Sequence, residues 1–315
     1  MGFARFFLLI GVLFICITGY SQSHNANAYD HLADPKLQKE HILYLTGGEM
    51  MGRATGSRGG FLAREYIEQK FAEYGIESRG ILYYQPFREQ SITGYNIIGE
   101  VKASIPSQEY IVVGAHYDHH GKIKGKVYPG ADDNASGVAA LLELGRMFAQ
   151  MKKDGKRLSK NILFIAFDGK ELSMAGSRNF LRSARIHQNN IKCMINIDQI
   201  GSTLAPPHKD TNYVLVLGRE TIAEWAAEKI DLCNKLANLN IDVDYTFYNS
   251  EAFSKIFYKL SDHHSFAQRG IPALFFTSGI TEHTFKESDT EDKISYPVLT
   301  NRIKLIFHFI YHLVN

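Results

Sequence analysis

The sequence predicts an α/β fold: one three-layer α/β/α domain around a mostly parallel, mixed sheet. Short, continuous apolar runs recur along the chain, namely YIVVGA (110–115), NILFIAF (161–167), IKCMINI (191–197) and YVLVL (213–217). Runs without polar alternation are the mark of strands covered on both faces. Between them lie stretches with helical periodicity, and strands alternating with helices imply crossover connections and a parallel sheet.

Taken in order, residues 60–75 form the first helix, with Ala63, Ile67, Phe71 and Tyr74 on one face and Gly75 available to end it. Residues 96–101 read as a strand, followed by the strand 110–115. Residues 138–148 are helical, with Val138, Leu141, Leu142, Leu144, Gly145 and Phe148 facing inward. The strand 161–167 precedes a helix starting near Gly176. Strands 191–197 and 213–217 follow, then an amphipathic helix over 221–238 and a late strand over 272–277 (PALFFT). The chain closes with a helix from Tyr296, where Leu299, Ile303, Phe307, Ile310 and Val314 form one stripe.

Arg5, the apolar run 6–17 and the small-residue pattern Gly19-Tyr20-Ser21 predict a signal peptide over residues 1–21. The expected product is exported, periplasmic or secreted, with no membrane span in the mature chain. Residues 22–315 then form one domain, with a core of about 41–315. Ile15 before Cys16 argues against a lipid anchor there. The remaining cysteines, Cys193 and Cys233, do not make a disulfide framework, and Cys193 lies in an apolar run as a buried thiol would. A formal net charge of +2 argues against nucleic-acid partners.

The chemistry gathers between residues 114 and 201: GAHYDHHG (114–121), YPGADDNASG (128–137), FDGKELSMAGS (167–177) and NIDQIG (196–201). In parallel sheets, ligands bind beyond the carboxyl ends of the strands, where His116, Glu171 and Asp198 are expected. His116 is a candidate zinc ligand, and Asp118, two residues on, can buttress its other ring nitrogen. Asp132 and Asp133 precede a helix. They can serve as caps, or one can bridge two ions. Asp198 and Glu171 end apolar runs, and carboxylates placed there need a cation or several donors. His119, His120, His308 and His312 are expected on loops or helix surfaces.

These motifs, with GRATGSRGG (52–60) and SDHHSFAQRGIPALFFTSG (261–279), resemble the di-zinc metallo-aminopeptidases of peptidase family M28 over nearly the whole mature chain. The resemblance implies a phosphorylase/hydrolase-like zinc exopeptidase architecture, two Zn2+ ions per chain and a peptide substrate. It implies that the Asp132 carboxylate bridges both ions and that a cis peptide joins Asp132 to Asp133. His116 and Asp198 complete one zinc site and Glu171 serves the other, while Asp118 orients His116. The last ligand is a histidine near the C-terminus. The usual position, four residues before an Asp-Thr pair, holds Phe285, and His283 is the expected substitute, with His263 as part of the site wall.

A second departure concerns the base. The family shows adjacent glutamates, the first a general base, where this chain has Lys170 and Glu171. A charged ammonium has no lone pair to accept a proton. Lys170 can act only if neutral; otherwise Asp168 serves, or the centre binds without turnover. Three functions follow: an aminopeptidase, a catalytically impaired peptide- or amine-binding protein, or a glutaminyl-cyclase-like acyltransferase.

Overall fold

The computed structural model describes residues 26–183, 186–205, 210–221 and 225–315. The expected signal peptide and Cys16 lie outside them. Helix α1 (Pro35–Thr46) begins where the Asp34 carboxylate accepts from the Lys36 amide and Pro35 fixes the first turn. Helix α2 (Arg58–Glu73) is capped by Ser57 and buries Ala63, Ile67 and Phe71, as its periodicity requires.

The strands are β1 (Glu77–Ser78), β2 (Tyr84–Glu89), β3 (Ile92–Val101) and β4 (Tyr110–His116), then a hairpin of β5 (Gly121–Ile123) and β6 (Lys126–Tyr128). Next come α3 (Gly137–Lys153), β7 (Asn161–Phe167), α4 (Ala175–Ser183), β8 (Ile191–Ile197), β9 (Tyr213–Leu217), α5 (Trp225–Leu236) and β10 (Asp242–Asp244). The chain ends with α6 (Glu251–Phe257), α7 (His263–Ala267), β11 (Ala273–Thr277) and α8 (Tyr296–Val314).

A nine-stranded sheet runs β1-β3-β7-β4-β8-β11-β9-β10, with β2 paired to β3. Strands β7, β4, β8 and β11 are mutually parallel, which is the mixed, mostly parallel architecture expected. Alternate residues of β4 serve opposite faces. Ile111 and Val113 pack with α3 and α8, whereas Val112 joins Phe180 of α4 and Phe266 of α7. Double-sided burial explains why these strands read as unbroken apolar runs. Because the four central strands are parallel, their carboxyl ends share one rim. Register places His116 opposite Phe167, and Gly114 opposite Asn196, so His116, the 168–171 turn and Asp198 emerge together.

Cys193 and Cys233 are both free and buried. Among the described residues, no helix is long and apolar enough to cross a membrane. His308 is buried, not on a helix surface, and its Nε2 meets Asp30 at 2.8 Å.

Candidate metal centre

His116 is the last residue of β4 and is fully buried. Its Nε2 faces Asp198 Oδ1 at 3.2 Å and Asp133 Oδ1 at 3.3 Å. Its Nδ1 lies 3.0 Å from the backbone carbonyl of Asp118, with the Asp118 carboxylate farther off at 3.7 Å. The expected buttress is therefore present, but the main chain supplies it. The Asp118 carboxylate instead accepts from the amides of Lys170 and Glu171, both at 3.0 Å, and positions that turn.

The acidic pair divides differently from expectation. Asp132 Oδ1 accepts from the amides of Gly201 and Ser202 and from Ser136, at 2.7, 3.2 and 3.0 Å. Its carboxylate is consumed in holding the loop after β8. The adjacent Asp133 faces His116, and neither of its buried oxygens accepts a well-formed hydrogen bond. The cis peptide bond lies between Asp133 and Asn134, one residue later than expected. The physical reason is the irregular turn Ala131–Ser136, in which Asp133 and Asn134 leave helical geometry. Both carboxylate oxygens of Asp289 accept amides of this turn, from Asp132 at 2.9 Å and Asp133 at 3.0 Å. Asn134 ties the turn to β8 by donating to the Ile197 carbonyl at 2.9 Å.

Tetrahedral zinc with bonds of about 2.1 Å separates its donors by roughly 3.4 Å. The spacings from His116 to Asp133 and to Asp198 match that figure. One imidazole and two carboxylates also suit zinc chemically. Asp198 is steadied from behind by Ser261, whose hydroxyl donates at 2.6 Å.

A sequence profile described as peptidase family M28 matches residues 96–310. The chain belongs to peptidase family M28. It is 33% identical to a probable zinc metalloprotease of Pyrenophora tritici-repentis over 47% of this chain and 36% of that protein. The matched stretch thus spans about a third of that fungal relative. A probable aminopeptidase of Saccharomyces cerevisiae, YDR415C, is 23% identical over 81% of this chain and 67% of its own length. Among solved structures, the LapA aminopeptidase of Legionella pneumophila superposes with a TM-score of 0.74 at 20% identity, covering 92% of this chain and 75% of that one. Porphyromonas gingivalis glutaminyl cyclase gives 0.69 at 16% identity, covering 89% and 99%. At these identities the likeness establishes the fold, which aminopeptidase and cyclase share, so chemistry must be argued from side chains.

In this M28 chain Lys170 projects into the centre. Its ammonium meets Glu171 Oε1 at 2.9 Å and Asp133 Oδ1 at 3.7 Å, and lies 5.5 Å from the centre of the Phe285 ring. Burial alone would lower its pKa, but the charges of Asp133, Asp198 and Glu171 outweigh burial and hold it well above the ordinary lysine range. The protein's own carboxylates thus favour its ammonium form. Asp168 is no substitute, since its carboxylate accepts from Thr55 and from the amides of Tyr95 and Gly169. Asp133 feels the opposite balance. Burial raises it, but the charge of Lys170 and the contact with His116 hold it well below the usual carboxylate range. Burial and the Asp168 charge push Asp118 up to about 7.

His283 joins neither group of convergent donors found among the described residues. Its Nδ1 turns to the Ser288 hydroxyl at 3.0 Å, because the 281–284 turn is closed by Thr281 and Thr284 and aims the ring that way. His263 forms part of the wall, as expected, stacking on Phe275 at 4.6 Å with its Nε2 against the Tyr258 carbonyl. His119 corrects the sequence reading: it is 1% exposed and lies inside the site. Sequence reasoning weighed Asp133 as a cap beside a bridging Asp132 and set His119 on a loop or helix surface, although the doubled acid and the repeated histidine of HYDHH were visible signals. Beside Asp198 and Lys170 opens an apolar pocket lined by Phe247, Phe257, Leu260, Phe275, Ile280 and Phe285.

Proposed function

We propose that this chain is an exported zinc exopeptidase that removes N-terminal residues from peptides, with turnover held down by Lys170. The observation that carries the reading is the convergence of His116, Asp133 and Asp198 at zinc-donor spacing beside an apolar pocket. These three residues would hold the ion, replacing the Asp132-centred set implied by the resemblance. A bound zinc supplies Lewis acidity toward a carbonyl and lowers the pKa of water. Asp118 holds the Lys170–Glu171 turn, and Ser261 holds Asp198. The pocket favours a large apolar side chain, excluding water from it. The names of the yeast relative and of LapA support the same activity. Export rests on residues 1–21, and recovery of the uncleaved chain in the cytoplasm alone would overturn it.

A protonated Lys170 cannot take a proton, and absence of a positioned base costs about 10²–10⁴ in rate. The zinc-loaded chain should therefore release p-nitroaniline from leucine p-nitroanilide slowly and chelator-sensitively. Lys170→Glu should raise kcat by about 10²–10⁴-fold. Zinc binding without turnover in either protein would replace this reading with that of a peptide- or amine-binding protein, which the Lys170–Glu171 ion pair also favours. The cyclase reading predicts pyroglutamate formation from an N-terminal glutamine peptide in place of anilide hydrolysis.

A further inference from the structure

We propose that Arg53 is a positioning residue, which holds His116 and Asp133 at ion-binding distance before an ion arrives. The inference rests on the zinc reading above. It gives the GRATGSRGG motif (52–60) a task at the centre.

The two ligands differ in how they are held. His116 ends β4, whose neighbours on both sides fix it through the sheet. Asp133 lies in the irregular turn Ala131–Ser136, outside any ladder or regular helix. Asp289 binds this turn to the chain before α8, and Asn134 binds it to Ile197 of β8. Toward the segment of His116 itself, Asn134 reaches only the His116 carbonyl, at a long 3.4 Å.

Arg53 makes the shorter link. It is fully buried, and its guanidinium fork donates to both segments at once. Nε donates at 3.0 Å to the carbonyl of Tyr117, the residue after His116. Nη1 donates to the Pro129 carbonyl at 2.5 Å, and Nη2 to the Gly130 carbonyl at 2.9 Å, where the turn of Asp133 begins. Nη1 also reaches the Leu45 carbonyl at 2.6 Å, which anchors the fork to α1. The main chain adds two bonds to the first segment. The Arg53 carbonyl accepts from the His119 amide at 3.3 Å, and the Gly52 carbonyl from the Gly121 amide at 3.0 Å.

This approach needs an unusual backbone. Gly52 and Arg53 both lie in the left-handed region, at φ 76° and 52°. A Cβ at Gly52 would fall 2.4 Å from the Tyr128 carbonyl oxygen and 2.6 Å from that of Gly121. Non-glycine residues rarely adopt such angles, and those that do are held there by their surroundings and cluster at functional sites. The buried positive charge also acts on Asp289, Asp133 and Asp118, offsetting acids that would otherwise repel one another in an empty centre. A lysine would keep this charge but not the fork, because its ammonium is a single point of donors.

The test is calorimetric zinc titration of the full chain, with the visible spectrum of the cobalt(II)-loaded protein, at a temperature where each protein is folded. Global stability does not enter a dissociation constant measured on folded protein, so a merely structural arginine would leave it unchanged. Arg53→Lys should bind zinc about 10–100-fold more weakly, the usual effect of removing a group that orients metal ligands, and its cobalt spectrum should lose intensity. His41→Gln, a destabilising change in the α1–α2 joint, should keep the native affinity and spectrum. Native affinity in Arg53→Lys, or equal losses in the two variants, overturns the inference and leaves the zinc reading. If Arg53→Lys does not fold, hydrogen exchange of the native chain decides. The amides of His119, Gly121 and Ala135 should be as protected without zinc as with it, and protection gained only with zinc would mean that the ion gathers the segments. A native chain that takes up no zinc overturns the zinc reading itself, and this inference with it.

Discussion

At the residue scale, two adjacent aspartates do opposite work. Asp132 spends its carboxylate on the amides of Gly201 and Ser202, while Asp133 presents bare oxygens to His116 and His119. Composition and spacing could place an acid here but could not choose between neighbours. The choice is made by the non-helical turn, whose dihedral angles no periodicity encodes. Asp133→Asn should reduce zinc affinity by at least about 100-fold while the fold persists, since a charged ligand is replaced by a neutral one. Asp132→Asn should keep its zinc but lose about 1–3 kcal/mol of stability, the usual cost of disturbing a buried, charge-assisted hydrogen-bond cluster. Calorimetry and urea unfolding of both variants check the assignment. Equal loss of zinc in the two would show that the turn, and not the individual carboxylate, holds the ion. Lys170 was legible as a departure, but the charges that surround it were not, because Asp133, Asp198 and Glu171 arrive from separate segments of the chain.

At the element scale, what could be read was what is buried on both sides. The runs at 161–167, 191–197 and 213–217 became β7, β8 and β9 with the expected bounds. Less legible were β1, β2 and the β5–β6 hairpin, which are short or partly exposed. Strand β2 lies off the main path of the sheet, pairs only with β3 and contains Pro86, which a central strand would not tolerate. Its pairing also extends β3 back to Ile92, four residues before the expected start. Helix α1 escaped although Asp34-Pro35 is a capping signal. Its apolar face is interrupted by the buried Gln38 and His41, whose partners lie on other elements. The docking of α4 also sets the site, since it follows the 168–171 turn directly. At Gly176 a Cβ would fall 2.1 Å from the Asp168 carbonyl and 2.4 Å from Asn96 Oδ1. The first of these is backbone at the end of β7 and cannot swing aside. Gly176→Ala should therefore destabilise the fold by about 1–3 kcal/mol through overpacking. It should also shift the 168–171 turn that carries Lys170 into the centre. Unchanged melting would mean that α4 has room to slide.

At the scale of the whole molecule, parallel β7, β4, β8 and β11 bring to one rim groups separated by more than eighty residues, and that convergence was legible because only strand polarity is needed to deduce it. The layer covering the sheet has its own polar joint, and this joint makes stability depend on pH. His41 of α1 is fully buried, with Nδ1 2.6 Å from the Tyr66 hydroxyl of α2 and Nε2 3.2 Å from that of Tyr74. Burial, with the charges of Lys70 and Arg146, pushes its pKa down to about 3. The unfolded chain titrates this group near 6.5. Between those values the unfolded state holds a proton that the folded state does not, so stability is fully present above pH 6.5 and falls as the solution is acidified. The slope approaches about 1.4 kcal/mol per pH unit, giving a loss of about 2 kcal/mol at pH 5 from this residue alone. His119 and His263 are depressed to about 3 by the same burial and add to the total, so the contribution of His41 must be isolated by difference. His41→Gln offers the tyrosines an amide that does not titrate. It should be less stable than the native chain at pH 7.5. Between pH 7.5 and pH 5, however, it should lose about 2 kcal/mol less, measured by urea unfolding at the two pH values. Parallel losses in the two proteins would mean that His41 already takes up its proton in the folded state, and that the α1–α2 joint opens in acid without unfolding.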